Sequence, residues 1–469
     1  MARIIVIGAG IAGLAAAARM ASGANDVTLI ERNTGPGGSL TWAGPCTITL
    51  PAVLRDLFVK TGGRKAGSAG ALEDVVDLQP VSPVLRTYAF RDGTRLALPN
   101  AARGATKEAF DAAFGAGSGE AWLRVLDHGN RAWSAIRPSL VEVPDAGRAE
   151  LWRLLRSSAA RRAVAPRRTL RQIGADAGLN DPRALRVLDE YAVEAGATPE
   201  RAPAVLSTRP YLEHAFGGWR IVGGLPELAT ALYERCVKRG VEFRFEAEAT
   251  SLTAGSVTLL DGERLAADVI VAAVDAQVLA RLTGAKPANI AYSPSVFSVR
   301  LERFKQLERL EGSSSEELPH ETVLFGEGPE PTIRLHVAPE RPTEWIAHVA
   351  APLHGTGNGR RDWDAAGVAA DYASELTRLV ASRLTIPTTE LTVRDVCTPA
   401  DRERLTGTPG GSVHGPAIDS VSTAILRSPT IQPIKGLLHI GGSARPGPGL
   451  AFAALSAWNA AEVLRPTRV

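Results

Sequence analysis

Cysteine is scarce in this chain: Cys46, Cys236 and Cys397 are odd in number, far apart and form no C-x-x-C pair. That pattern excludes a disulfide framework and points to a reducing, cytoplasmic setting. The eight histidines show no H-E-x-x-H or comparable ligand spacing, so no structural metal is expected. Net charge is nearly absent as well, +3 across 469 residues, which argues against wholesale nucleic-acid binding. No apolar run is long enough to span a bilayer; the longest, residues 4–18, is interrupted by three glycines, so any membrane contact would be peripheral.

A chain of this length exceeds what one core sustains, and two or more domains are expected. Residues 3–7 (RIIVI) are a β-branched run suited to a buried parallel strand, followed by a glycine turn and the alanine-rich stretch 14–22. A second strand at 27–30 closes a βαβ unit of nucleotide-binding size. Helical patterning recurs at 52–60, 107–114, 119–136, 149–163, 183–193, 225–239, 365–383 and 449–464. Strand-like runs occur at 84–90, 242–246, 256–260, 268–273, 295–301, 332–337, 345–350 and 437–441. Such alternation predicts an α/β or α+β architecture with a mixed sheet. Loops are expected at 61–70, 311–319 and 354–364. Charge is unevenly spread: eight arginines stand between residues 148 and 171, a solvated helix face or a docking patch for an acidic carrier protein or an anionic membrane surface.

Gly8, Gly10 and Gly13 stand at G-x-G-x-x-G spacing between the first strand and the first helix, with Ile11 and Ala12 completing the turn. This is the Rossmann-like dinucleotide fingerprint: a tight turn, backbone access for a pyrophosphate, close helix packing, and a helix N-terminus facing the phosphates. Glu31 ends the second strand, where a carboxylate accepts from ribose hydroxyls. A second glycine loop follows it, Arg32 to Ser39, with Gly37 and Gly38, and Leu40 comes directly after it. It brings more backbone to an extended flavin dinucleotide than a nicotinamide one needs. At the far end, Gly441 and Gly442 precede a turn through Gly449 and an apolar helix from Leu450, a further helix N-terminus placed to face the flavin or its phosphates.

These residues resemble the phytoene desaturase and carotenoid dehydrogenase group of the FAD-dependent amine-oxidase superfamily. Beyond the N-terminal Glu-Arg-x-x-x-x-Gly-Gly pattern, residues 43–58 (AGPCTITLPAVLRDLF), 85–93 (LRTYAFRDG), 194–224 and 444–464 are similar to its segments in the same order. The resemblance implies the two-dinucleotide-binding, glutathione-reductase type of fold: a discontinuous FAD-binding domain (1–95, 206–275 and 420–469) with an inserted substrate-binding domain (96–205 and 276–419). It carries FAD contacts onto Gly8, Gly10, Gly13, Glu31, Arg32, Gly38, Ser39, Ala249, Gly442 and Leu450. Two positions depart from the family's pattern: Ser39 stands where Arg is frequent, and Pro448 where Gly is common. The absence of cysteine near the C-terminal turn argues against a cysteinyl flavin link.

The activity implied is dehydrogenation of an apolar polyene or isoprenoid, carotenoid-like or a carrier-bound polyene polyketide, in a tunnel built from 95–205 and 276–410. A polyene isomerase, an amine oxidase and a non-catalytic lipid escort are the alternatives. Glu194, Tyr191 and His214 flank the family-like stretch before Trp219. Tyr191 and Trp219 read as core aromatics and Glu194 and His214 as surface residues, so no catalytic acid or base is assigned.

Overall fold

The computed structural model describes residues 1–23, 25–44, 46–62, 70–144, 146–304 and 318–464. Most of the loops expected at 61–70 and 311–319 lies outside the described residues.

Four consecutive apolar residues, Ile4 to Ile7, form a strand because both of its faces are covered. Arg3–Ile7 is the centre of a five-stranded, all-parallel sheet in the order Leu437–His439, Val269–Ala272, Arg3–Ile7, Asp26–Ile30, Glu242–Arg244. Ile4 and Val6 face a helical layer made by Ile11–Ala21, Leu225–Lys238 and Leu450–Val463. Ile5 and Ile7 face the other way, onto Leu252, Val257 and Leu259 of a three-stranded antiparallel meander. Each such buried aliphatic contributes about 1.5–3 kcal/mol. The first and last helices are alanine-rich on their shared face: Ala15 to Ala18 on one and Ala457 and Ala460 on the other are fully buried. Small side chains let the two helices approach closely, and the two extremities of the chain are thereby held side by side.

A second sheet of seven strands runs in the order Leu391–Cys397, Ser295–Arg303, Arg341–Ala351, Ile333–Ala338, Glu321–Leu324, Val84–Ala89, Arg95–Pro99. Its pairs are antiparallel except Glu321–Leu324 against Val84–Ala89. The last two strands straddle the boundary drawn at residue 95. Helix Val368–Leu384 packs against this sheet, and helices between 103 and 216 build the adjoining cores. The single helix expected over 149–163 is two, Arg148–Arg156 and Ser158–Val164: Ser157 turns extended and its hydroxyl accepts from the Ala160 amide at 3.4 Å, starting a new helix. Among the described residues no helix is long and apolar enough to cross a membrane.

Candidate functional site

The glycine turn after the first strand separates two kinds of requirement. Gly8 adopts φ +99°, and a Cβ there would sit 2.9 Å from the Ala273 carbonyl oxygen; one on Gly13 would sit 1.9 Å from the Gly8 carbonyl oxygen. Both are glycine because the protein's own backbone occupies the space. Gly10 differs: it has ordinary extended dihedrals as the N-cap of Ile11–Ala21, and a Cβ on it would meet no atom within 4 Å. The space beyond Gly10 is a cleft, into which the first helix turns uncapped amides and the positive end of its dipole.

Glu31, buried at the end of the second strand, accepts from the Ala9 amide at 2.6 Å, the Asn33 amide at 2.9 Å and Asn33 Nδ2 at 2.7 Å. It therefore ties the first glycine loop to the second. The Gly37 amide donates to the Ala9 carbonyl at 2.9 Å, and Gly38 lies against Gly10 Cα.

The cleft encloses about 1340 Å³ of space free of protein atoms, part of it open to solvent. Gly8, Gly10, Ile11, Ala12, Glu31 and Arg32 line it from the first βαβ unit, Gly38 and Ser39 from the second loop, Ala249 from the meander, and Gly441 and Gly442 from the far end of the chain. Five expected residues are not on its wall. Gly13 is turned onto Gly8, Gly37 packs against Thr41 and Ala229, Leu40 is in the core, Gly449 faces the Arg209 guanidinium, and Leu450 packs with the first core. Arg32 reaches the end of helix Pro399–Thr406, where it donates to the Glu403 carbonyl at 3.4 Å and to the Arg404 carbonyl, while Asn33 Nδ2 holds the Leu405 carbonyl at 3.0 Å.

Sequence reasoning missed much of the opposite wall. Ala273, Val274 and Asp275 follow the strand Val269–Ala272, and the rule that ligands bind beyond the carboxyl ends of parallel strands would have flagged them. Arg402, Leu405 and Thr406 of helix Pro399–Thr406 also line the cleft, with 407–408 and 411–415 of the loop beyond it, and none carries a local signature. Arg427 fastens that loop to the far-end turn, donating to the carbonyls of His414 (3.0 Å), Gly442 (3.1 Å) and Pro416 (2.9 Å). Burial, seconded by Arg209, pushes its guanidinium down to about 10.

From the cleft the structure leads into a polar interior, where the sequence reading places part of an apolar tunnel. Arg402 donates to the Val296 carbonyl (2.8 Å) and to Ser298 Oγ (2.6 Å), and that hydroxyl pairs with His348 Nδ1 at 2.7 Å. Behind His348, Arg86 pairs with Glu194 (3.3 Å), Glu213 (3.2 Å) and Glu321 (2.7 Å), and Arg334 with Glu190 (3.2 Å), Glu194 and Glu321. Burial pushes the Glu321 carboxyl up, but the guanidiniums of Arg86 and Arg334 outweigh it and hold it well below the usual range. Burial raises Glu190 and Glu213. Tyr191 is buried, as expected, and its hydroxyl donates to Glu213. Glu194, expected at the surface, belongs to this network. His214 is half-buried near Leu85, Trp122 and Tyr191, and Trp219 is half-buried with its indole N–H on the Phe216 carbonyl.

Residues 6–43 match the NAD(P)-binding Rossmann-like domain, and residues 155–322 match the flavin containing amine oxidoreductase family. The chain is 24% identical to 4,4'-diapolycopene oxygenase of Methylomonas sp, over 97% of this chain and 96% of that protein. It is 28% identical to hydroxyneurosporene desaturase of Rubrivivax gelatinosus, over 98% of this chain and 93% of that one. Among solved structures, cyclohexylamine oxidase from Brevibacterium oxydans IH-35A shares the fold with a TM-score of 0.56 and 15% identity, covering 99% of each chain.

Proposed function

As this chain is a phytoene desaturase-like, FAD-dependent oxidoreductase, we propose that it removes hydrogen from an apolar polyene of the carotenoid kind. The observation that carries the reading is the meeting of both glycine loops and the far-end turn at one cleft, in a chain similar along its whole length to enzymes named for diapolycopene and hydroxyneurosporene.

FAD fits the residues present: a Cβ on Gly10 would meet no protein atom within 4 Å and one on Gly442 only Pro448 Cα at 3.8 Å, room that suits a close-lying phosphate or ring edge. When bound, FAD supplies the acceptor for a hydride from carbon. In this reading the amides at Gly10 and Ile11 hold the diphosphate, Glu31 the ribose and Ala249 the adenine, while Gly441 and Gly442 close on the other end. The segments 1–95, 206–275 and 420–469 would carry the cofactor, with 402–415 adding a wall from the remainder, and the rest of the chain would orient the substrate and exclude water.

Outside the cleft, Trp152 is 73% exposed on a surface where Arg148, Arg153, Arg156, Arg161, Arg162 and Arg167 are also exposed. An indole among cations suits the interface of an anionic membrane, from which an apolar polyene would be drawn.

The test is anaerobic mixing of the yellow, purified protein with polyene isoprenoids. Bleaching of the oxidised flavin and a product two hydrogens lighter are expected. A product of unchanged mass would make the enzyme an isomerase, and bleaching by amines alone, with hydrogen peroxide formed in air, an amine oxidase.

A further inference from the structure

Cys46, His336 and His348 are far apart along the chain, and no spacing announces them, yet their ligand atoms all lie within 4.8 Å of one another. The antiparallel register pairs Arg334 with His348 and His336 with Ile346, which puts the two histidines diagonally adjacent on one face of the second sheet, ring centroids 5.3 Å apart. Cys46 comes onto that face from the loop that leaves the second glycine loop, its Sγ 4.0 Å from His348 Nε2.

Both imidazoles are placed for ligation. His348 Nδ1 is held by Ser298 Oγ at 2.7 Å, and Arg402 steadies that hydroxyl, so the ring is oriented with Nε2 toward the thiol; a hydrogen bond at the far nitrogen is how metal-binding imidazoles are set. His336 is 2% exposed, and its Nδ1 is buried without a hydrogen-bond partner. The adjoining ion-pair cluster sets four carboxylates (Glu190, Glu194, Glu213 and Glu321) against the guanidiniums of Arg86 and Arg334, which offsets an added positive charge. Arg402 opposes it, with its guanidinium engaged by Val296 and Ser298.

We propose that Cys46, His336 and His348 form a binding site for a thiophilic divalent cation of the zinc class. A two-nitrogen, one-sulfur set with bonds of about 2.0–2.3 Å leaves a fourth tetrahedral position for water or a polar atom of a ligand. Cys46 and His348 are partly buried and His336 fully so. Binding exchanges the thiol proton for the metal: the S–H bond, directed at the Ala43 carbonyl, breaks, an S–metal bond forms, and one proton is released. Arg402, which lines the cofactor cleft, is joined to the site through Ser298, and the site does not depend on which substrate the enzyme takes.

Cobalt(II) is the probe. The flavin-loaded protein, freed of metals with a chelator, is titrated with cobalt and followed by difference absorption. One cobalt per chain is expected, with a thiolate charge-transfer band in the near ultraviolet and ligand-field bands to the red of the flavin. Cys46→Ser should abolish the charge-transfer band, and His336→Gln should weaken binding at least tenfold, with the flavin spectrum unchanged in both. Wild-type cobalt binding no tighter than that of Cys46→Ser, or without the charge-transfer band, overturns the proposal while leaving the desaturase reading intact. Should His336→Gln fail to fold, alkylation of Cys46 in the wild-type protein decides: protection by zinc supports the site, and equal modification with and without zinc rejects it.

Discussion

Gly10→Ala and Gly13→Ala, two small changes three residues apart, separate a cofactor contact from a packing requirement. At position 13 the new methyl would lie 1.9 Å from the Gly8 carbonyl oxygen, with Ala273 Cβ also 3.3 Å away, so helix and strand must move apart. Overpacking of this kind costs about 1–3 kcal/mol, and backbone on the far side of the contact puts it at the upper end. At position 10 the methyl would meet no atom within 4 Å, and the residue is an N-cap with extended dihedrals, where alanine costs only about 0.5–1 kcal/mol. If the emptiness beside Gly10 is where a phosphate lies, the methyl displaces it from an amide. Losing one hydrogen bond to a charged group is worth about 1.5–3 kcal/mol, or roughly 10–150-fold in Kd. The assay pairs calorimetric titration of the flavin-free protein with FAD and its urea denaturation. Gly10→Ala should lose FAD affinity while holding the stability of the flavin-free form, and Gly13→Ala should lose stability first. Wild-type affinity in Gly10→Ala, or equal destabilisation by both, refutes the assignment of the cleft.

Acid should erode stability through His128, whose ring burial, with Arg131 and Arg168 nearby, pushes down to about 4 from about 6.5. The unfolded chain binds the proton first, so stability is full only well above pH 6.5, is lower by about 1.4 kcal/mol at pH 5.5 and continues to fall toward pH 4. His128→Gln, which can keep a bond to Ser207 (2.8 Å in the native protein), should flatten that part of the urea-midpoint profile, and an unchanged slope would show that the ring is not held neutral. At the surface, flotation with vesicles should show binding to anionic but not neutral lipid, weakened by salt and several-fold by Trp152→Ser. Equal partition onto both lipids would remove the arginine face from the account.

What could be read in the sequence is what short range encodes. The strand 3–7, its glycine turn and Glu31 lie within about thirty residues, and each has a local physical signature: β-branched burial, absent side chains, a carboxylate at a strand end. Of the eleven expected residues that line the cleft, eight lie between residues 8 and 39 and Gly441 and Gly442 in a second glycine turn, whereas Ala249 has no local signature and follows from the resemblance alone. The five that do not are glycines and leucines that pack against the protein's own atoms; a missing Cβ reads the same in sequence whether backbone or ligand occupies the space. Long-range pairing was invisible for a different reason. Glu194 looks like a solvated acid until Val84–Ala89 and Ile333–Ala338 enter the same sheet and set Arg86 and Arg334 against it. Similarly, Arg402 and 411–415 acquire a role only because Arg427 draws that loop onto the far-end turn. The two alanine-rich helices connect these scales. Their composition is a local feature, but its effect, bringing the first and last glycine turns to one cleft, appears only when they pack. Replacing those alanines with larger residues would therefore disturb the cofactor site without touching any residue that lines it from the turns.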